Sequence, residues 1–130
     1  MPDQPPRIPA DLIALAERVE AAERPSRELD AQIHFAIHAR IKPLGTETWA
    51  FVAQTFNIPR YTASVDAAQK LVPDGCVWFA GTDHEVPGMA HVNWPGITTD
   101  DRPANYDTQA ASPALALCAA ALRARAASLE

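Results

Sequence analysis

The residues best placed by type and spacing to do chemistry are Asp30, His34 and His38. Steps of four residues bring all three to one side of a helix, and two histidines four residues apart can bind a metal when a third ligand is supplied. The glutamate that accompanies such histidine pairs in metalloproteases is absent. The pattern therefore favours a solvated polar face over a metal site, and it leaves open a surface that binds a partner or senses pH.

Other chemical groups have simpler structural explanations. The polar run 83–85, Asp-His-Glu, is typical of a turn at a hairpin tip. Ser64 and Ser112 stand where helices are expected to begin, so their hydroxyls are interpreted as caps. Cys76 and Cys118 lie in apolar segments and are interpreted as small buried hydrophobes. The chain has no GxSxG, no CxxC and no glycine-rich phosphate loop. We therefore predict no catalytic residue, no cofactor and no enzymatic activity.

Size and charge narrow the class of protein. The chain has 130 residues, and we expect a flexible N-terminal arm over 1–9 followed by a single domain over 10–130. The net charge of −5 makes a nucleic-acid partner unfavourable, because such partners demand clustered basic residues. No stretch resembles a signal peptide or a membrane span, so the expected location is the cytoplasm of the host cell, away from membranes.

Apolar residues at helical spacing predict three long helices, over residues 10–23, 27–39 and 113–127. A compact unit over 61–80 reads as a short helix capped by Ser64, a turn at Pro73-Asp74-Gly75, and a strand over 76–80. Residues 46–56 carry mixed signals, with a short helix favoured over a strand. We expect helices to cover this central unit.

Alternating polar and apolar residues predict a second strand over 88–94. Together with 76–80 this strand forms an antiparallel hairpin. Residues 95–111 are rich in Pro, Gly, Asp and Thr, and we predict an irregular surface loop there. The fold class that follows is α+β, with a small antiparallel sheet flanked by helices.

Three phrases of the sequence, PSRELDAQI, IPRYTASVDAAQKLVPDGCVW and ASPALALCAAALRARA, resemble the phage ABA sandwich family in order and spacing. These are small proteins encoded by phages and prophages. The resemblance implies a single alpha-beta-alpha sandwich and a phage or prophage origin. It implies no activity, cofactor or catalytic residue. Two segments, 34–57 and 95–110, depart from the pattern and are where a specific function is expected.

The functional expectation is a non-enzymatic phage accessory protein that binds a macromolecular partner, with a host protein or a defence component as the target. Aromatic side chains beside loops are favoured anchors, and the predicted partner-binding residues are Trp49, Phe51, Trp94, Tyr106 and Asp107. An uncovered sheet edge or helix face also permits a homodimer.

Two alternatives belong to other functional classes. A small-molecule protein that sequesters a nucleotide-like ligand would need basic side chains that converge, for which the candidates are Lys42, Arg60 and Arg102. A metal-dependent hydrolase would use His34 and His38 as metal ligands, and it is the less favoured of the two.

Overall fold

The computed structural model describes residues 9–38, 57–95 and 105–128 of the chain. The helices and strands in this part follow one another in the order α1 (Pro9–Ala21), α2 (Arg27–His38), α3 (Val65–Ala68), β1 (Val77–Gly81), β2 (Gly88–Asn93), β3 (Asn105–Ala110) and α4 (Pro113–Ser128). A short 3-10 turn, Gln69–Leu71, continues α3. The predicted helix over 46–56 lies outside the described residues, as does the predicted arm apart from Pro9.

The helices begin where the sequence indicates. Ser64 caps α3, since its hydroxyl accepts a hydrogen bond from the backbone N–H of Ala67. Ser26 acts in the same way on Leu29 at the start of α2, over 3.1 Å. Gly75 adopts φ 93° in the turn before β1, a left-handed conformation that favours glycine. The predicted helix, turn and strand over 61–80 are thus confirmed.

The three strands form one antiparallel sheet in the order β1-β2-β3. The predicted hairpin is confirmed, with Val77 opposite Asn93 and Gly81 opposite Met89. The predicted loop over 95–111 is wrong for residues 105–110, which form β3 and pair along the whole of β2. The inward positions of β3 are Tyr106, Thr108 and Ala110. The buried one of the three is Thr108, which is polar, so the sequence of β3 shows only a weak alternation of apolar and polar residues.

Helix α4 is the centre of the core. Most of its residues, including every one from 114 to 122, are buried, and it packs against α1 on one side and against the sheet on the other. Its many alanines allow these neighbours to approach closely. A bidentate ion pair, in which Arg123 donates two hydrogen bonds of 2.9 Å to Glu20, fixes α4 against α1. The α+β class with helices flanking a small antiparallel sheet is confirmed.

A buried polar network ties α2 to the segment that leads into α3. Asp30 is only 1% exposed. One of its carboxylate oxygens accepts hydrogen bonds from the backbone N–H and the hydroxyl of Thr62, at 2.8 and 2.7 Å. The other accepts from Arg27 at 2.8 Å, and Arg27 also donates to the carbonyl of Ile58. Asp30 therefore has a structural role, in contrast to the solvated face predicted from the sequence.

Among the described helices, none combines the length and the apolar character needed to cross a membrane.

Replacing Asp30 with alanine should destabilise the fold. The change leaves the buried Thr62 N–H without its acceptor and removes the carboxylate that pairs with Arg27, which costs about 3 kcal/mol. Urea unfolding followed by circular dichroism measures the loss. Glu28→Gln, an exposed change in the same helix, is the control and should stay within about 0.5 kcal/mol of the wild type. Equal stabilities of the two variants would contradict the role given to Asp30.

Gly88 and Gly81 provide a matched pair of glycine substitutions. A Cβ atom at Gly88 would overlap the backbone carbonyl of Ser112, whereas a Cβ atom at Gly81 meets nothing within 4 Å. We expect Gly88→Ala to lower the free energy of unfolding by about 2 kcal/mol, because the start of β2 must separate from the start of α4. Gly81→Ala should be neutral in the same denaturation assay. An unchanged free energy of unfolding in Gly88→Ala would show that the starts of β2 and α4 are not held as closely as described.

Candidate functional site: the open face of the sheet

One face of the sheet is turned away from the core. On the covered face, alternate residues such as Ala90, Val92 and Thr108 are buried beneath α4. The opposite face, here called the open face, carries the residues in between: Val77 and Phe79 from β1, Met89, His91 and Asn93 from β2, and Asn105, Asp107 and Gln109 from β3. None of these eight side chains is fully buried.

The open face has two exposed apolar side chains on β1. Val77 is 54% exposed and Phe79 is 53% exposed, and they are the exposed large hydrophobic residues of the described chain. They stand on the same face because they are two residues apart in a strand. An aromatic ring and a branched aliphatic side chain held side by side in water form a candidate contact for another molecule.

A row of three residues crosses the open face through the register of the strands. Phe79 lies opposite His91, and His91 lies opposite Asp107. The rings of Phe79 and His91 stack with their centroids 5.3 Å apart and an angle of 19° between their planes. On its other side, Nδ1 of His91 makes a hydrogen bond to Oδ1 of Asp107. The row thus combines an aromatic ring, an imidazole and a carboxylate whose side chain is 74% exposed.

This arrangement is suited to binding. A carboxylate that orients a histidine supplies two of the three groups of a hydrolytic triad, and the third is a nucleophilic hydroxyl or thiol next to the imidazole. Among the described residues of the open face, none is Ser, Thr or Cys. The imidazole and the carboxylate can nevertheless donate and accept hydrogen bonds, and the carboxylate can pair with a cation.

The predicted partner-binding residues fall in different places. Asp107 lies on the open face, on a strand and not in the loop predicted for it. Tyr106, its neighbour, points to the other side and packs half-buried against the core. Trp94 follows β2 and is half-buried, with its ring next to Gly75. Trp49 and Phe51 lie outside the described residues.

The residues proposed for a phosphate-bearing ligand are described only in part. Arg60 is exposed in the segment between α2 and α3. Lys42 and Arg102 lie outside the described residues. The prediction that the three converge therefore stays a prediction.

His34 and His38 meet Tyr61 at the end of α2. The His34 and His38 rings are 4.5 Å apart between centroids, and Nδ1 of His34 is 3.0 Å from the Tyr61 hydroxyl. Burial, with a smaller effect from the charge of His38, lowers the pKa of His34. Burial chiefly raises the pKa of Tyr61 to about 12, so its hydroxyl stays protonated and can donate to neutral His34.

Asp30 does not join the two histidines, because both of its carboxylate oxygens already bind Arg27 and Thr62. Within residues 9–38, 57–95 and 105–128, no three His, Cys, Asp or Glu side chains are grouped so as to hold a metal ion. Cys118 is buried, as predicted, and donates to the carbonyl of Tyr61, while Cys76 is half-buried. Burial raises the pKa of both thiols, which keeps them protonated and unreactive.

The alternation that predicts the strand over 88–94 also puts His91 with Met89 and Asn93 on one side of it, and the structure has them there. What the sequence did not reveal is the row that joins Phe79, His91 and Asp107. That row needs the register of β1 on β2 and the existence of β3, and neither follows from alternation within a single strand. Phe79 and Val77 themselves were missed because the apolar run of β1 resembled a strand buried on both faces.

Comparison of the chain with protein-family models, with curated proteins and with solved structures finds no match. The resemblance to the phage ABA sandwich family therefore stays a prediction.

The lowered pKa of His34 gives a pH dependence with a defined sign. Its folded-state pKa lies below the ordinary value of 6.5, so the unfolded chain takes up the proton first as the pH falls. This contribution to stability is present above pH 6.5 and is lost as the pH falls through the lowered folded-state value. As the pH is lowered from about 7.5 to 5.5, we expect the free energy of unfolding to fall less in His34→Gln than in the wild type, as measured by urea unfolding.

The neutral exchange Gln109→Asn serves as the control, because it removes no titrating group and should keep the wild-type slope of stability against pH. A wild-type slope in His34→Gln would contradict the burial effect assigned to His34.

Proposed function

We propose that this protein is a non-enzymatic binding protein, and that it contacts a protein partner through the open face of its sheet. The observation that carries the proposal is the pair of half-exposed apolar side chains, Val77 and Phe79, beside the His91–Asp107 pair. Interfaces between proteins commonly have an apolar or aromatic centre with polar groups around it. The open face has this composition.

The charges of the face indicate the chemistry of the partner. Asp107 is the acidic side chain on the face, and its carboxylate is 74% exposed. The chain as a whole carries a net charge of −5. The partner surface we propose therefore offers an apolar side chain to Val77 and Phe79, and an arginine or lysine to Asp107. An acidic protein surface with one exposed aromatic ring suits a basic protein patch better than a nucleic acid.

The resemblance to phage ABA sandwich proteins supports a setting for this activity. In that setting the protein is an accessory factor encoded by a phage or prophage, it acts in the cytoplasm of the host cell, and its partner is a host protein or a component of host defence.

Capture experiments with matched charge changes test the proposal. Tagged wild-type protein is incubated with lysate of the cell that carries the gene, and bound proteins are identified by mass spectrometry. We expect Asp107→Lys to lose the captured protein, because the change reverses the only acidic charge of the open face among the described residues. Asp66→Lys makes the same charge change on α3, away from the sheet, and should retain it.

The same samples are heated and their small-molecule content is measured. One outcome would contradict partner binding and favour the sequestering alternative. In it, a nucleotide is recovered in stoichiometric amount, and no captured protein is retained by Asp66→Lys and lost by Asp107→Lys. If Asp107→Lys retains the captured protein, the open face is not part of the interface.

A further inference from the structure

We propose that β1 pairs with β1 of a second copy of this chain, antiparallel and about a two-fold axis through Phe79. Two three-stranded sheets would join into one sheet of six strands. This inference goes beyond the proposed function, since it concerns the edge of the sheet, and of each open face it covers part of Phe79.

In the part of the chain that the structure describes, the edge of β1 lacks the features that normally prevent strand pairing. Among the described residues β1 has one neighbouring strand, β2, so alternate backbone N–H and C=O groups of β1 point away from the sheet. Edge strands are usually protected by charged side chains, proline or a bulge. The five residues of β1, VWFAG, include no charge and no proline, and they pair with β2 in unbroken register.

The other edge of the sheet differs in each of these respects. The outer strand β3 carries Asp107, and pairing two copies of β3 about its middle would bring two carboxylates close together. Helix α1 also packs against β3, whereas α4 is the described helix that packs closely against β1. Since α4 lies mainly over β2 and β3, it covers β1 the least of the three strands.

The residues of β1 are complementary to themselves in this register. An antiparallel pair centred on Phe79 sets Val77 opposite Gly81 of the second copy and Trp78 opposite Ala80. Each large side chain thus faces a small one. At the centre the two Phe79 rings become cross-strand neighbours on the open face, which covers part of a ring that is 53% exposed in the single chain.

The contact between the two β1 strands is small, so the affinity of the dimer is expected to be low. Stable complexes typically bury at least about 1,200 Å² in total, and pairing one five-residue edge buries less. We therefore expect a dimer that forms with rising concentration and dissociates on dilution.

A charge-swap experiment at the symmetry axis tests both the dimer and its register. Phe79→Lys and Phe79→Glu each place two like charges opposite one another, and each should weaken dimerisation by about tenfold or more. An equimolar mixture of the two places opposite charges at the same point and should recover the dimer. Molar mass is followed by sedimentation over a concentration series. Circular dichroism checks that each variant folds. We expect both to fold, because the Phe79 side chain is exposed.

Amide hydrogen exchange of the wild type provides a second measurement that needs no substitution. In the dimer the outward amides of β1 should exchange more slowly as concentration rises, whereas those of β3 should not. Asp107→Lys is the control in sedimentation, because it alters the far edge of the sheet and should dimerise like the wild type.

A wild type that keeps the mass of one chain at all concentrations would overturn the proposal. So would a dimer that persists equally in both Phe79 variants, since its contact would lie elsewhere. A mixture that stays monomeric would overturn the register centred on Phe79. These measurements use the protein alone, so their failure would leave the capture of a separate partner untouched.

Discussion

The burial of α4 on almost every side is the constraint on which the remaining structure depends. The stretch 114–122 of this helix is apolar all round and cannot face water, so it needs neighbours on each flank. The sheet covers one flank, α1 covers another, and α3 with its 3-10 turn closes part of the rest. Because so much of α4 is alanine, these neighbours lie close to its backbone, and small changes in spacing are poorly tolerated.

This arrangement divides the sheet into two surfaces with different tasks. The face toward α4 carries small and apolar residues such as Ala90 and Val92, and it serves stability. The other face is not needed to hold α4, so its side chains are free to vary in type. It is there that Phe79, His91 and Asp107 come together. The surface proposed for binding therefore lies on the side of the sheet that the core does not use.

Much of the fold was predictable from the sequence, because its helices have strong local signals. The stripe of Leu12, Leu15 and Val19 and the serines at 26, 64 and 112 placed the helices to within a few residues. Strand β3 was not predictable in this way. Its sequence, NYDTQA, is mostly polar, and its pairing comes from β2 and not from its own composition.

The candidate site was harder to predict than the fold, for a related physical reason. Asp107 was selected as a loop residue, and its real position depends on pairing between residues sixteen apart in the chain. Asp30 shows the converse. Its spacing from His34 and His38 indicated one polar face, but a carboxylate that accepts hydrogen bonds from Thr62 and Arg27 can be buried at little cost. Side-chain spacing along one element does not reveal such partners.

The position of α4 along the chain has a consequence for how the protein is made. Of the described elements it is the last to leave the ribosome, yet it is the one that contacts α1, α3 and all three strands. Until it emerges, α1 and the hairpin have no common surface to bury. The ion pair between Glu20 and Arg123 cannot form before then, because Arg123 lies 103 positions after Glu20. We therefore expect the nascent chain to expose the apolar side of α1, and of each strand once it is made, until α4 emerges. During that time it depends on its acidic charge, and on any chaperone present, to stay apart from other chains.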